Sequence, residues 1–380
     1  MRYLWCSGGS FRPALAESAG LTDASISRIV ANLKSEKLID ESRRTAPYQG
    51  GPSVFLTLSK DRYVGALEFS SGRVHLGVAS LTGEIRFSEW LDLPDGADAE
   101  TVDGTCRRAL RQLADYVQRS GIALCQIAVS IPGYHEDLPT NPIIALNPGK
   151  ILGDIQRALP GVALLVANSI VTRAVTHRLK LGATLAGGPY LYIFAGHGVA
   201  GALVDDFAAS GDVVPCEIGH MVLNPRGPRC RCGHFGCLEA YVSTAAVAPA
   251  IGIREQDLLT MGEGRAGRLK LSTRARGDLA MRLGRLGLAI GNALNLMPVR
   301  RVMVAGWPAE FGDEAHAGIL GGIEGSLFGG ASAVNITFSN AELGREPAAG
   351  IALATYAYLH RGAMQPEALA GEITTDNLTE

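Results

Sequence analysis

No run of about 18 or more apolar residues occurs in this 380-residue chain, and Met1–Phe11 lacks a long apolar core. The chain therefore carries no candidate spanning helix and no sign of export, and the expected location is the cytoplasm, with no membrane partner. A large charge of either sign is also missing. The formal net charge is −2, so any contact with nucleic acid has to come from a local patch. Charged residues make up only 19% of the chain against 47% hydrophobic, the composition of a packed globular protein long enough for two or three domains. Cysteine is sparse: four of the seven, Cys6, Cys106, Cys125 and Cys216, are scattered and read as ordinary small residues.

The other three cysteines stand together. His220, Cys230, Cys232 and Cys237 form a His-x9-Cys-x-Cys-x4-Cys array. Three thiols and an imidazole suit a structural tetrahedral zinc ion, and four protein ligands leave no open position for a catalytic water. Gly227, Pro228, Gly233 and Gly236 lie between them and let a short chain fold back on one point. Disulfides or buried hydrophobes are the competing readings. Reduced thiols fit a cytosolic chain, and the segment is rich in Arg, Pro and Gly instead of apolar. Two carboxylates, Glu217 and Glu239, bracket the array. Such acceptors suit a polyhydroxylated ligand such as a sugar, and simple surface solvation explains them equally well.

Upstream, Leu15 to Ile39 reads as a short helix, a turn at Gly20 and a second helix capped by Thr22 or Asp23. Leu15, Ala16, Ala19, Leu21, Ile26, Ile29, Val30 and Leu33 recur at helical spacing and are expected to form a small core. Thr22, Ser25, Ser27, Arg28 and Asn32 are left as DNA-facing candidates, the composition of a recognition helix in a major groove. Next comes a predicted hairpin whose loop carries Arg43 and Arg44, a wing placed to touch phosphate or minor groove. Residues 1–60 hold 8 Lys or Arg against 5 Asp or Glu, a local excess of +3 in a chain of net −2. A helical domain for protein contacts is the bland alternative; turn, helix and basic wing together favour DNA.

From Tyr63 the pattern turns to strands. Val64–Phe69, Val74–Ser80 and Ile85–Leu91 read as an antiparallel meander, followed by a helix over Ala99–Arg119 and a buried strand over Ile122–Ile131. A further strand over Ala163–Ala167 and a helix over Ile170–Leu185 follow. The order restarts with Tyr190–Phe194 and Val199–Val204, then a helix over Arg274–Leu296 and a strand over Arg301–Ala305. Helix Glu314–Phe328, strand Val334–Ser339 and helix Pro347–Tyr358 complete the second round. Two α/β lobes are expected, with ligands in the cleft between them.

Glu217-Ile-Gly-His220 with Cys230-Arg-Cys-Gly-His-Phe-Gly-Cys-Leu-Glu239 closely resembles the signature of the ROK family of repressors, open reading frames and kinases. The resemblance implies a winged helix-turn-helix over residues 1–60, followed by the two-lobed fold of sugar kinases, actin and Hsp70, which is ribonuclease H-like. Lobe 1 would be 61–185 with a helix at 345–360 packing back on it, lobe 2 would be 186–344 with the zinc knuckle, and 361–380 would be a tail. The resemblance further implies zinc on His220, Cys230, Cys232 and Cys237, and sugar hydroxyls on Asn147, Asn168, Glu217, His220 and Glu239. Asn147 also reads as an ordinary turn residue before Pro148. A homodimer or dimer of dimers on operator DNA is the implied assembly. Met1–Ser10 is short and Gly-containing where repressors of the family have a full first helix.

The alternative within the family is an ATP-dependent sugar kinase. Family kinases carry Asp-x-Gly-x-Thr at a phosphate turn, where this chain has Glu68-Phe-Ser-Ser-Gly72. Gly-Thr-Gly-x-Gly becomes Gly196-His-Gly-Val-Ala200, and Trp307 follows Val304-Ala-Gly306 where a small residue is usual. The kinases' general base is an Asp after Asn; here Asn168 is followed by Ser169. Loss of such a base costs about 100- to 10,000-fold, so no catalytic residue is assigned. His177 reads as a solvated residue on a helix surface and a poor substitute. The expectation is a sugar-responsive regulator, a repressor in sign, with a catalytically degenerate kinase-like domain.

Overall fold

The computed structural model describes residues 1–45, 52–70, 72–94, 96–135, 138–141, 143–181, 188–204, 213–259, 269–339 and 348–361. The chain divides into two compact units, one of residues 1–172 with 346–380 and one of 173–345.

The first unit opens with α1 (Arg2–Ser7), β1 (Ser10–Phe11), α2 (Arg12–Ala19), α3 (Asp23–Ser35), β2 (Ile39–Thr45) and β3 (Pro52–Leu58), the strands lying in the order β1-β3-β2. Gly20, at φ 62, ends α2, and the Thr22 hydroxyl accepts from Ser25 N to start α3. Leu4, Ala16, Ile26, Val30, Leu38, Ile39, Leu56 and Leu58 make the core. Glu41 on β2 ties the layers together, accepting from Lys34 of α3 at 2.5 Å and Arg12 of α2 at 2.7 Å. The Lys34 ammonium, more than the Arg12 guanidinium, holds that carboxyl below its ordinary range. The small-core expectation fails at Ala19, Leu21 and Ile29, which are exposed, the last two at 42%. A helix of 13 residues on a three-stranded sheet buries one stripe only, here Ile26 and Val30.

α3 ends in a paired-bond turn. Leu38 N bonds Leu33 O and Lys37 N bonds Lys34 O, both at 2.9 Å, with Lys37 at φ 55. Glycine usually holds that left-handed position, because a Cβ there crowds the following carbonyl. Lys37→Gly is therefore expected to raise the unfolding free energy by about 1 kcal/mol. An unchanged urea midpoint would show that the turn is unstrained.

The rest of the unit is a five-stranded sheet, β4 (Tyr63–Ser70), β5 (Gly72–Ser80), β6 (Ile85–Leu93), β7 (Leu124–Ile131) and β8 (Ala163–Asn168), in the order β6-β5-β4-β7-β8. The meander is antiparallel, and β4-β7-β8 are parallel. α4 (Ala99–Ser120) and α5 (Pro148–Ala158) cover one face. α12 (Ala348–Arg361) packs on β4, β5 and β7. α5 was not foreseen, although Asn147-Pro148 is a helix-start signal: Asn147 Oδ1 accepts from Lys150 N at 2.9 Å and Pro148 sits in the first turn.

His75 of β5 is fully buried, stacked on Trp90 at 3.7 Å with Nε2 3.1 Å from Ser88 Oγ. Burial first, and the Arg73 charge second, push its pKa from 6.5 down to about 4. The unfolded chain therefore takes up this proton before the folded one does. Stability is expected to fall as pH drops from about 6.5 to 4, by at most roughly 3 kcal/mol, and to lose nothing further to this group below that. Denaturant titrations at pH 7 and 5 on the wild type and His75→Gln check it, since the variant should lose part of the slope.

After α6 (Ser169–Leu181), which spans the boundary, the second unit repeats the plan. β9 (Tyr190–Ala195), β10 (Val199–Val204), β11 (Val213–Cys216), β12 (Arg301–Gly306) and β13 (Asn335–Ser339) run β11-β10-β9-β12-β13, the same relative order as the first sheet. Short helices α7 (Glu239–Val242), α8 (Thr244–Ile251) and α9 (Glu255–Leu259) follow the knuckle. α10 (Thr273–Leu296) packs against α11 (Gly312–Glu324) so closely that a methyl on Gly287 would overlap the Ile319 carbonyl. α11 ends at Glu324, short of the Phe328 expected from the pattern. The proposed tail from 361 lies almost wholly outside the described residues.

Candidate metal centre and ligand residues

The knuckle is folded by its backbone. Leu223 N bonds Gly236 O at 2.9 Å, Gly236 N bonds Pro228 O at 2.8 Å and Cys230 N bonds His234 O at 2.8 Å, so the chain doubles back on itself between Leu223 and Gly236. Gly236, at φ 73, has no room for a side chain, because a methyl would overlap the Asn224 carbonyl. The result brings one donor atom each from His220, Cys230, Cys232 and Cys237 within 4.8 Å of one another. Cys232 Sγ and Cys237 Sγ are 3.7 Å apart, and Cys230 Sγ is 3.8 Å from His220 Nδ1. Donors at ~2.3 Å (S) and ~2.0 Å (N) around a tetrahedral centre stand roughly 3.5–3.8 Å apart, so this set fits a metal ion. The described thiols are free.

Burial pushes the Cys237 thiol up to about 12 and raises Cys230, whereas bonds from His234 hold the exposed Cys232 down to about 6. A cation bound here would hold all three as thiolates and, on binding, release the protons of Cys230 and Cys237. His234 Nδ1 lies 3.6 Å from Cys232 Sγ, so the knuckle offers a second imidazole that spacing alone did not single out.

The flanking carboxylates differ. Glu239 Oε2 accepts from Val199 N at 2.9 Å and Oε1 is 3.9 Å from Cys230 Sγ, which ties the knuckle to β10. Glu217 is exposed, and its carbonyl accepts from His220 N. The asparagines belong to the first unit. Asn168 is buried, with Oδ1 accepting from Ile170 N at 3.2 Å and Nδ2 donating to Tyr134 O at 3.3 Å. Asn147 is exposed, and its oxygen is committed to the α5 cap. Asn141, not singled out in the sequence, braces the connection from β7 to α5: Nδ2 donates to Pro132 O, and Oδ1 accepts from Ile143 N and Ile144 N.

Groups that would meet nucleotide phosphate are otherwise engaged. Within 196–200, Gly196 N bonds Gly198 O and Val199 N is taken by Glu239. His197 Nδ1 lies 3.3 Å from Glu255 Oε1, which also accepts from the Thr244 hydroxyl at 2.6 Å. Two carboxylates from elsewhere in the unit, Glu239 and Glu255, thus sit against this turn and oppose an incoming anion. Trp307 is buried and donates Nε1–H to Val242 O at 2.8 Å, and Glu68 accepts from Gly350 N at the start of α12. Contrary to expectation His177 is not on a solvated surface: it is fully buried, with Nδ1 2.6 Å from Ser339 Oγ. Its neighbours bury this face of α6, and the ring lies 5.0 Å from that of Tyr192, tilted by 45°.

On α3, Ser27, Arg28 and Asn32 are exposed and Ser25 is half-buried, its hydroxyl bonded to that of Thr22. Exposed Ile29 joins Ser25, Arg28 and Asn32 at i, i+3, i+4 and i+7 on one face, a candidate missed by assigning it to the core. Arg43 and Arg44 were placed on a hairpin loop, but both lie within β2, opposite Val54 and Ser53. The Arg44 guanidinium lies 4.1 Å over the Phe55 ring. The hairpin tip, 46–51, is outside the described residues.

Two α/β sheets of one topology, a three-helix, three-strand segment ahead of them and a thiol–imidazole centre in the second unit define the class. The chain belongs to the ROK family, whose model matches residues 72–313. It is 25% identical over 320 residues to an N-acetylglucosamine repressor of Escherichia coli O6:H1, covering 78% of this chain and 76% of that protein. Its fold is similar to the crystal structure of a ROK family transcriptional regulator described as a homolog of the E. coli MLC protein, with TM-score 0.68 and 20% identity over 92% of each chain. It is also similar to a ROK hexokinase from Thermus thermophilus, with TM-score 0.58 and 19% identity over 79% of this chain and 99% of that one. One fold thus serves a regulator and a kinase, and the choice rests on the residues. Among the described residues no helix is long and apolar enough to cross a membrane.

Proposed function

We propose that this chain is a cytoplasmic, sugar-responsive DNA-binding transcriptional regulator, repressing in sign, with zinc in the knuckle and no phosphoryl-transfer activity. The observation that carries the reading is the exposed face of α3, Ser25, Arg28, Ile29 and Asn32, on a three-helix, three-strand segment that precedes the region matched by the family model. Polar side chains there suit base edges, and the Ile29 side chain suits a thymine methyl. Thr22 and Ser27 border that face, and Arg43 and Arg44 on β2 serve the phosphates. Residues 1–60 act as a winged helix-turn-helix, and a homodimer or dimer of dimers binds a palindromic site. The relative's printed name supports a repressor tied to a sugar.

Zinc holds the knuckle closed and supplies no chemistry beyond structure. It fixes the loop from which Glu217, His220 and Glu239 serve sugar hydroxyls, and Asn147 and Asn168 are the first unit's own candidates for sugar hydroxyls. Ser169 at the base position and the carboxylates against the 196–200 turn support the non-enzyme reading. The test is salt-titrated binding of zinc-replete protein to the DNA upstream of its own coding region, with and without a panel of sugars and sugar phosphates. Specific binding weakened by one sugar is expected. Sugar-dependent ATP turnover without specific DNA binding would replace this reading by the kinase.

A further inference from the structure

Arg62 links the end of α3 to the five-stranded sheet of the first unit through its side chain. It immediately precedes β4, and its carbonyl accepts from Leu81 N at 2.9 Å, which fixes its backbone to the five-stranded sheet. The half-buried side chain turns back onto the end of α3. Its terminal nitrogens donate to Glu36 O at 2.7 Å and approach Cys125 Sγ at 3.9 Å, and Nε donates to Lys37 O at 3.4 Å. Glu36 and Lys37 form the paired-bond turn that closes α3, so the guanidinium meets carbonyls at the negative end of that helix.

Two neighbouring backbone bonds brace the same region: Ser59 N bonds Leu38 O of that turn, and Lys60 N bonds the Asp40 carboxylate of β2. A groove of about 590 Å³ opens here, with Lys34 and Lys37 among its lining on one side and Asp61 and Arg62 on the other, and the Arg62 bonds span it. On the sheet side, Cys125 lies on β7 beside Tyr358 of α12. Burial, and next the Cys125 thiol, push the Tyr358 hydroxyl up to about 12, with Arg62 opposing them, so the three groups share one environment.

We infer that Arg62 is a positioning residue that couples the end of α3 to β7 and α12, so that a rearrangement of those elements is passed to the helix that faces DNA. A planar guanidinium reaches two carbonyls and a thiol in one geometry, which a lysine ammonium on a flexible stem does not. The coupling itself is a property of the free protein. Its consequence for repression rests on the regulator reading above.

The test is hydrogen exchange on the full, ligand-free chain for the wild type, Arg62→Ala, Arg62→Lys, Tyr358→Phe and the double variant Arg62→Ala/Tyr358→Phe, with melting temperatures in parallel. Arg62→Ala is expected to speed exchange about tenfold at the amides of residues 36–38. Arg62→Lys should restore only part of the protection. Tyr358→Phe should loosen the same amides when Arg62 is present and have no further effect in Arg62→Ala. A purely structural role predicts instead a lowered melting temperature with faster exchange throughout, and effects of the two substitutions that add. Either additivity or wild-type exchange at 36–38 in Tyr358→Phe overturns the inference, and if Arg62→Ala fails to fold, Arg62→Lys takes its place. Operator binding by the wild type is scored separately, so failure of the regulator reading is told apart from failure of the coupling.

Discussion

A Cys232→Ser chain is expected to lose its metal, the order of the knuckle and its response to sugar together. Cys232 is exposed, so serine costs little in packing and isolates the effect of the ligand. Three remaining donors hold a cation far more weakly than four; even an outer-shell partner is worth about 10- to 100-fold in affinity. With the cation gone, two buried thiols return to their protonated forms, and little apolar contact holds a segment of Arg, Pro and Gly. The loosening reaches the ligand side because Glu239, two residues from Cys237, is bonded to Val199 of β10. Metal content by mass spectrometry, exchange across residues 221–238 and sugar-dependent operator binding measure the three losses. Undiminished sugar affinity in a zinc-free protein would falsify the link between knuckle and ligand site.

Arg28→Ala and Asn32→Ala are expected to cost about 1–3 kcal/mol of operator binding each, with relaxed preference at the base pair each one reads. Together the losses reach roughly 30-fold or more, while the fold stays unchanged because both side chains are exposed and the core stripe is Ile26 and Val30. Arg44→Ala should behave differently. Its guanidinium already stacks on Phe55, so its removal should weaken all sequences alike and reduce the salt slope by about one. Binding curves at several salt concentrations on matched and single-mismatch duplexes separate the two patterns. Equal losses on every sequence for Arg28 and Asn32 would assign α3 to phosphate contact only.

What was legible in the sequence was local. The knuckle ligands lie within 18 residues and the first meander shows in its strand pattern, so both are legible from spacing alone, whereas β11, the third strand of the second meander, is not. Ile29 misled because helical periodicity marks an apolar position without saying how wide the partner surface is. His177 misled for the opposite reason: a polar side chain on a helix was read as solvated, when Ser339, 162 residues away, supplies its bond. Arg43 and Arg44 were assigned to a turn because the register of a hairpin is set by pairing, which composition does not reveal. Arg62 gave no signal at all. Its partners are backbone carbonyls and a thiol brought near by folding, and no spacing rule encodes them.

The placement of α12 fixes an order of assembly. Gly350 and Glu68 are bonded across 282 residues, and Ile351, Leu353 and Ala354 of α12 are buried in a helix that packs on β4 and β7. During translation residues 1–60 emerge before the five-stranded sheet that follows them, and one face of that sheet stays bare until α12 has left the ribosome. A nascent or cleaved fragment ending before residue 348 thus presents an uncovered apolar face. Such a face is expected to draw chaperones and proteases to the fragment, so that folding of the first unit waits on a segment distant in the chain.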